Sequence, residues 1–238
     1  MSSLQLGFFL SLRTIAYGIG FALTALVFYF SGHGDFLTKA GPWWPVYGLL
    51  ANYICFVIVN KALKKENVKF FSLVGYNAGK IRKDIRLSLV FILCSVILAV
   101  APAIAFAYLM YGRYPYELVP SFSSIPMLIV IVFLVVSPVV NSAIEEITYN
   151  GFIFPRLEAK VKNTAVTVLW VLLFFTIQHV FITFAPDFKY MVWRLLSFVP
   201  LLLFWIIVYS RMRRLTTLII VHWFMDAFAL LSILFTPQ

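Results

Sequence analysis

Five ionisable side chains stand in otherwise apolar stretches of the second half of the chain. Glu145 and Glu146 are adjacent and open the segment EEITYNGFIFPRL, His179 ends FTIQH, and His222 and Asp226 bracket HWFMD. A carboxylate base, a positioned imidazole and a hydrogen-bond donor are sufficient parts for acyl transfer to water. Two adjacent carboxylates in a medium of low dielectric repel each other and resist desolvation, which suits a proton acceptor working near neutral pH. On a helix, Glu145 shares a face with Asn141 and Tyr149, and Glu146 with Ser142 and Asn150. Phe175 and His179 lie one turn apart, as do His222 and Asp226, so the Asp226 carboxylate is placed to orient the His222 imidazole. The plain structural alternative is interhelical glue, in which such groups hydrogen-bond to hold a bundle together. That would suffice for one histidine. Five such groups on three apolar segments favour chemistry.

The elements that carry these residues are set by hydrophobicity. Of 238 residues, 63% are hydrophobic and 12% charged, and the mean hydropathy is +0.97. Soluble domains carry about 45–50% apolar and about 25% charged residues, so lipid must cover most of this surface. A hydrocarbon core about 30 Å thick requires about 20 apolar residues at 1.5 Å each. Spans are therefore expected near 9–30, 42–60, 87–110, 125–147, 164–184, 191–209 and 215–235. The fold class is all-α, a polytopic bundle of about seven transmembrane helices forming a single integral membrane domain over 1–238, with the chemistry in 125–235. The stretch GRYPYELVPSFSSI at 111–124 reads as an interfacial loop, and Trp43, Trp44 and the tyrosines of 108–116 as an aromatic belt. Cys55 and Cys94 both fall in spans and provide neither a disulfide framework nor metal-ligand spacing. The first span is expected to be retained, because no basic n-region or small-residue cleavage site precedes it.

The net charge of +10 could suggest nucleic acid, but the basic residues sit in loops as topology signals do. No nucleic-acid partner is expected; the partner that composition implies is the lipid bilayer. The stretch 61–86 holds eight Lys or Arg, and 148–163 and 210–214 hold three each, against Lys39, Arg113, Lys189 and Arg194 on the opposite side. The protein is thus expected in the cell membrane as a multi-pass chain, with N-terminus cytoplasmic and C-terminus outside. Arg13 and Arg194 are expected near span ends, snorkelling to the headgroups. Depth is a point of tension. His222 lies about 10 Å and His179 about 24 Å from the basic ends of their spans. Glu145 reaches both only if its helix continues past Asn150 towards Leu157, with Pro138 available to kink it.

In this order, the three motifs resemble the CPBP family of CAAX proteases and bacteriocin-processing proteins. It includes type II CAAX prenyl proteases and immunity-associated bacterial membrane proteins. That family carries EExxxR, FxxxH and HxxxN or a variant on separate membrane helices. The counterparts are Glu145 to Asn150, Phe175 to His179 and His222 to Asp226, and the Gly151-Phe152 step and Pro155-Arg156-Leu157 tail are also similar. The resemblance covers residues 125–235. It implies intramembrane proteolysis of a peptide or protein substrate reached through the membrane, in which Glu145 and His179 activate a water, while His222 and the last motif position stabilise the oxyanion. Glu146, Asn150 and Phe175 would support the site. The cavity would be water-filled and open towards the cytoplasmic side. A glutamate mechanism without cofactor is favoured over a metallo one. A divalent metal such as zinc, if bound, would take Glu145, His179 and His222, although there is no HExxH. The chain departs from the pattern twice. Asn150 stands where Arg is usual, and can donate a hydrogen bond but cannot neutralise charge. Asp226 stands where Asn is common, and when ionised cannot donate to an oxyanion. These departures favour the alternative of a non-catalytic bacteriocin immunity or regulatory protein on the same scaffold. A proton-relaying transporter is a third reading, without the repeats or matched broken helices that would support it.

Overall fold

The computed structural model describes residues 1–115, 122 and 125–235, and these are helical with no strand among them. The long elements are α1 (Ser3–Phe30), α3 (Trp44–Lys64), α4 (Ile81–Tyr111), α5 (Met127–Glu146), α7 (Thr164–Ile182), α8 (Phe188–Met212) and α9 (Thr216–Phe235). Two short helices, α2 (Phe36–Ala40) and α6 (Phe154–Val161), complete the set, and a π-helix, Ile147–Ile153, joins α5 to α6. Seven helical segments are long and apolar enough to cross a membrane, making this a multi-pass membrane protein. Most of the interfacial loop expected at 111–124, and Tyr116 of the aromatic belt, lie outside the described residues.

Local chemistry sets the ends. Ser2 accepts from the Gln5 backbone N–H while the Gln5 side chain accepts from that of Ser2, a capping box that starts α1 at Ser3. Asn163 and Asp187 cap α7 and α8 in the simpler way, each accepting from the backbone N–H three residues on. Gly112, at φ 69°, closes α4 in the left-handed conformation that glycine adopts without strain.

The seven long helices pack in a closed circuit. α1 lies on α3, α3 on α5, α5 on α9, α9 on α4, α4 on α8, α8 on α7, and α7 back on α1. The α1–α3 contact is backbone-close, since a Cβ on Gly20 would lie 2.6 Å from the Cβ of Tyr47. Outward faces are apolar, as on α4 with Leu89, Leu93, Ile97 and Leu109 exposed, and such faces suit lipid. Inward faces carry the polar groups. Asp84 of α4 pairs with Arg214 and accepts from Thr217, and Trp205 of α8 donates to Ser95 of α4.

Candidate active site

The chain from α5 to α7 explains how the acidic pair comes level with the first imidazole. The helix runs on through the π-segment and α6 to Val161 before turning into α7 at Thr164. Glu145 lies sixteen residues before that turn and His179 fifteen after it, so both reach the same depth. His222, only six residues beyond Thr216, reaches the same level because α9 starts inside the protein. The preceding Leu215 is fully buried, with its backbone N–H bonded to the Val74 carbonyl. The continuation past Asn150 towards Leu157 is as expected; its π form was not. A π-segment widens the helix by one residue per turn and often marks functional positions. Here it stacks Tyr149 on Phe175 at 4.5 Å between ring centroids and lets Asn150 donate to Glu146 Oε2 at 2.7 Å.

Two carboxylate–imidazole pairs result. Glu145 Oε1 stands 3.8 Å from His179 Nε2. The other ring nitrogen of His179, Nδ1, donates to the Phe175 carbonyl at 2.8 Å, which leaves the Nε2 lone pair free. Glu146 Oε1 accepts from His222 Nδ1 at 3.0 Å, and Asp226 Oδ1 stands 3.5 Å from His222 Nε2. Each nitrogen of His222 thus faces a carboxylate oxygen. Trp205 packs on the His222 ring at 4.5 Å, and Phe198 on that of His179 at 4.1 Å. All five ionisable residues singled out in the sequence therefore come together, with Asn150 and Phe175 beside them. Glu145, Glu146 and Asn150 have no exposure at all.

The neighbours that sequence reasoning did not assign to the site are Arg13, Asn52, Asn141 and Gln178. Arg13 does not snorkel. With α1 starting at Ser3 rather than near residue 9, it lies three turns inside the helix and is fully buried. Its guanidinium donates to Glu145 Oε2 at 2.8 Å, Asn52 Oδ1 at 2.7 Å, Asn141 Oδ1 at 3.0 Å and Gln178 Oε1 at 2.8 Å. Gln178 also donates to Glu145 Oε1, and Asn141 to Asp226 Oδ2 at 2.9 Å. Arg194, half-buried near the start of α8, lies over the Phe198 ring at 4.7 Å. An arginine inside an apolar span was the available signal.

A cavity of about 300 Å³ lies within the circuit, with Asn141, His179, His222 and Asp226 on its inner walls and Thr183, Tyr190, Arg194 and Ile233 further out. It extends towards the ends of α7 and α9 that point away from the basic loops. The expected opening on the basic side is overturned for a packing reason. That end is filled by Ile147, Phe152, Ile153, Phe154, Leu215 and Leu218, all without exposure. Among the described residues, no group of three or more His, Cys, Asp or Glu is placed to hold a metal ion. In the donor set proposed for zinc, Glu145 is turned to Arg13 and Gln178, and His222 to two carboxylates.

No curated protein and no solved structure matches the chain. Residues 124–228, which hold all three motifs, match the family model described as type II CAAX prenyl endopeptidase Rce1-like. That segment is accordingly similar to type II CAAX prenyl endopeptidases, consistent with the CPBP family.

Proposed function

We propose that the protein is an intramembrane endopeptidase of the glutamate type, hydrolysing a peptide or membrane-associated protein that reaches the cavity through the bilayer. The observation that carries this reading is the 3.8 Å separation of Glu145 Oε1 and His179 Nε2, opposite an imidazole held by Glu146. The gap is too long for a direct hydrogen bond and short enough for one water to touch both groups. Such a water passes its proton to His179 Nε2 as its oxygen attacks the scissile carbonyl carbon, with Glu145 steadying the imidazolium. His222 Nε2–H, held only loosely by Asp226, turns to the oxyanion. His179 then returns the proton to the leaving nitrogen as the C–N bond breaks. General-base catalysis contributes about 10²–10⁴ and one oxyanion donor about 10²–10³ in rate. We assign the basic loops to the cytoplasm, with the N-terminus inside and the C-terminus outside. The cavity then opens on the outer side.

The test is cleavage in proteoliposomes, with products identified by mass spectrometry. Substrates would be membrane-anchored peptides and prenylated CAAX-tail peptides. Wild type is expected to release a defined fragment, and Glu145→Ala and His179→Ala, folded by size exclusion and thermal melting, to release none. Normal cleavage by either variant would remove the assignment.

A second reading, a non-catalytic immunity or regulatory protein, is favoured by one feature. Glu145 is fully buried, does not line the cavity, and has hydrogen-bond partners on both oxygens. On that reading the biological function survives Glu145→Gln. Its loss in the folded variant would count against the reading.

A further inference from the structure

The segment that matches the family supplies two buried glutamates and, at position 150, an asparagine that cannot balance their charge. The balancing cation comes from outside that segment. Arg13 sits on the first helix, 132 positions before Glu145, and is fully buried among four side-chain acceptors from α3, α5 and α7. Every one of those acceptors except Asn52 also touches the candidate site. Gln178 bonds Glu145 and adjoins His179 in the chain, Asn141 bonds Asp226, and Glu145 is the candidate water-binding carboxylate.

We propose that Arg13 is a positioning residue of the active site, fixing Glu145 directly and Asp226 through Asn141. The inference rests on the endopeptidase reading above. A guanidinium presents a rigid fork of donors, and here Nη2 is shared between Glu145 Oε2 and Asn141 Oδ1 while Nε takes Gln178. With Asn141 Oδ1 turned to Arg13, its amide nitrogen is left for Asp226 Oδ2. The amide therefore has one orientation consistent with both neighbours. Asn52 holds the remaining arm of the fork, so the guanidinium cannot rotate without breaking a buried bond. The water-activating pair and the oxyanion side are in this way referred to one rigid plane. The family-matched helices accordingly need α1 for geometry as well as for packing.

The experiment compares Arg13→Lys and Arg13→Gln with wild type and Glu145→Ala, all in the same proteoliposomes, measuring kcat and KM separately. Melting temperature controls for folding. A residue that positions the base affects the chemical step. Arg13→Gln is expected to lower kcat by about 10²-fold or more, with KM within about threefold of wild type. Arg13→Lys, which keeps the charge but not the fork, should be partly rescued, falling about tenfold. If wild type cleaves, Glu145→Ala does not, and a folded Arg13 variant has wild-type kcat, the proposal fails while the endopeptidase reading stands. If neither variant yields folded protein, Arg13 belongs to the framework of the bundle and the proposal fails as well. If wild type itself cleaves nothing, the underlying reading is what has failed.

Discussion

Glu146→Gln is a nearly isosteric change whose effect can be worked out bond by bond. Glu146 is fully buried and uses its two oxygens differently: Oε2 accepts from Asn150 Nδ2 at 2.7 Å, and Oε1 from His222 Nδ1 at 3.0 Å. The glutamine keeps the first bond if its oxygen faces Asn150. Its NH₂ group then points at His222 Nδ1, and two donors cannot share that line. His222 must give up the Nδ1 proton and accept from the glutamine, so a neutral ring replaces one held between two carboxylates. The Nε2–H remains to meet an oxyanion, but without the charge assistance of Glu146. Hydrogen bonds to charged groups contribute about 1.5–3 kcal/mol. At about 1.4 kcal/mol per factor of ten, kcat should fall about ten- to a hundredfold, with little change in KM. The assay is steady-state cleavage of the substrate that wild type processes, with His222→Ala for comparison. Folded Glu146→Gln with kcat within twofold of wild type would refute the reasoning, because His222 would then owe nothing to its carboxylate partner.

Two further predictions concern packing and access. Gly20→Ala would bring a Cβ to 2.6 Å from the Cβ of Tyr47, where neither helix can yield by rotating a side chain. About 1–3 kcal/mol of destabilisation is expected, read as a lower melting temperature. Gly151→Ala would meet the Cδ1 tip of Leu215 at 2.9 Å, which can rotate away, and Leu73 Cβ at an ordinary 3.4 Å, so its melting temperature should fall by clearly less than that of Gly20→Ala. For access, Thr183→Cys at the cavity's outer end should react with a membrane-impermeant maleimide on intact cells, and Lys64→Cys on the basic face only after permeabilisation. Cys55 and Cys94 would first be replaced by alanine. The reverse labelling pattern would overturn the assigned orientation.

The seven spans could be read from the sequence because a bilayer imposes one length on every crossing, and runs of apolar residues disclose it. Their ends and neighbours could not. The start of α1 depends on the Ser2 and Gln5 side chains, which lie outside any apolar run. The order of helices around the circuit depends on contacts such as Gly20 against Tyr47, where one missing Cβ decides how closely two helices approach. Hydropathy does not register such a contact. The side on which the cavity opens was misjudged for a related reason. The apolar character of GFIFPRL permits the helix to continue past Asn150, and it does. That Phe152, Ile153 and Phe154 would also fill the basic end follows only from their burial in one core with Leu215 and Leu218.

In the site, Glu145, Glu146, His179, His222 and Asp226 were legible because each is costly in an apolar stretch and so demands a partner. Asn52, Asn141 and Gln178 carry no charge, cost less to bury, and raise no comparable alarm. Arg13 is different, since the same argument applied to it with full force. Three carboxylates, Glu145, Glu146 and Asp226, lie within the bundle; of the second half's cations His222 is the one that pairs with them, while His179 donates to a backbone carbonyl and Arg194 lies over the Phe198 ring. The missing positive charge had to come from elsewhere. Within the first three expected spans, 9–30, 42–60 and 87–110, there is a single Lys or Arg, and it is Arg13. Charge neutrality in a low-dielectric interior therefore makes Arg13 a candidate partner for an acidic group of the second half. Treating each ionisable residue by its own distance from a span end concealed this. Treating them as a set, which must balance wherever water is excluded, recovers it.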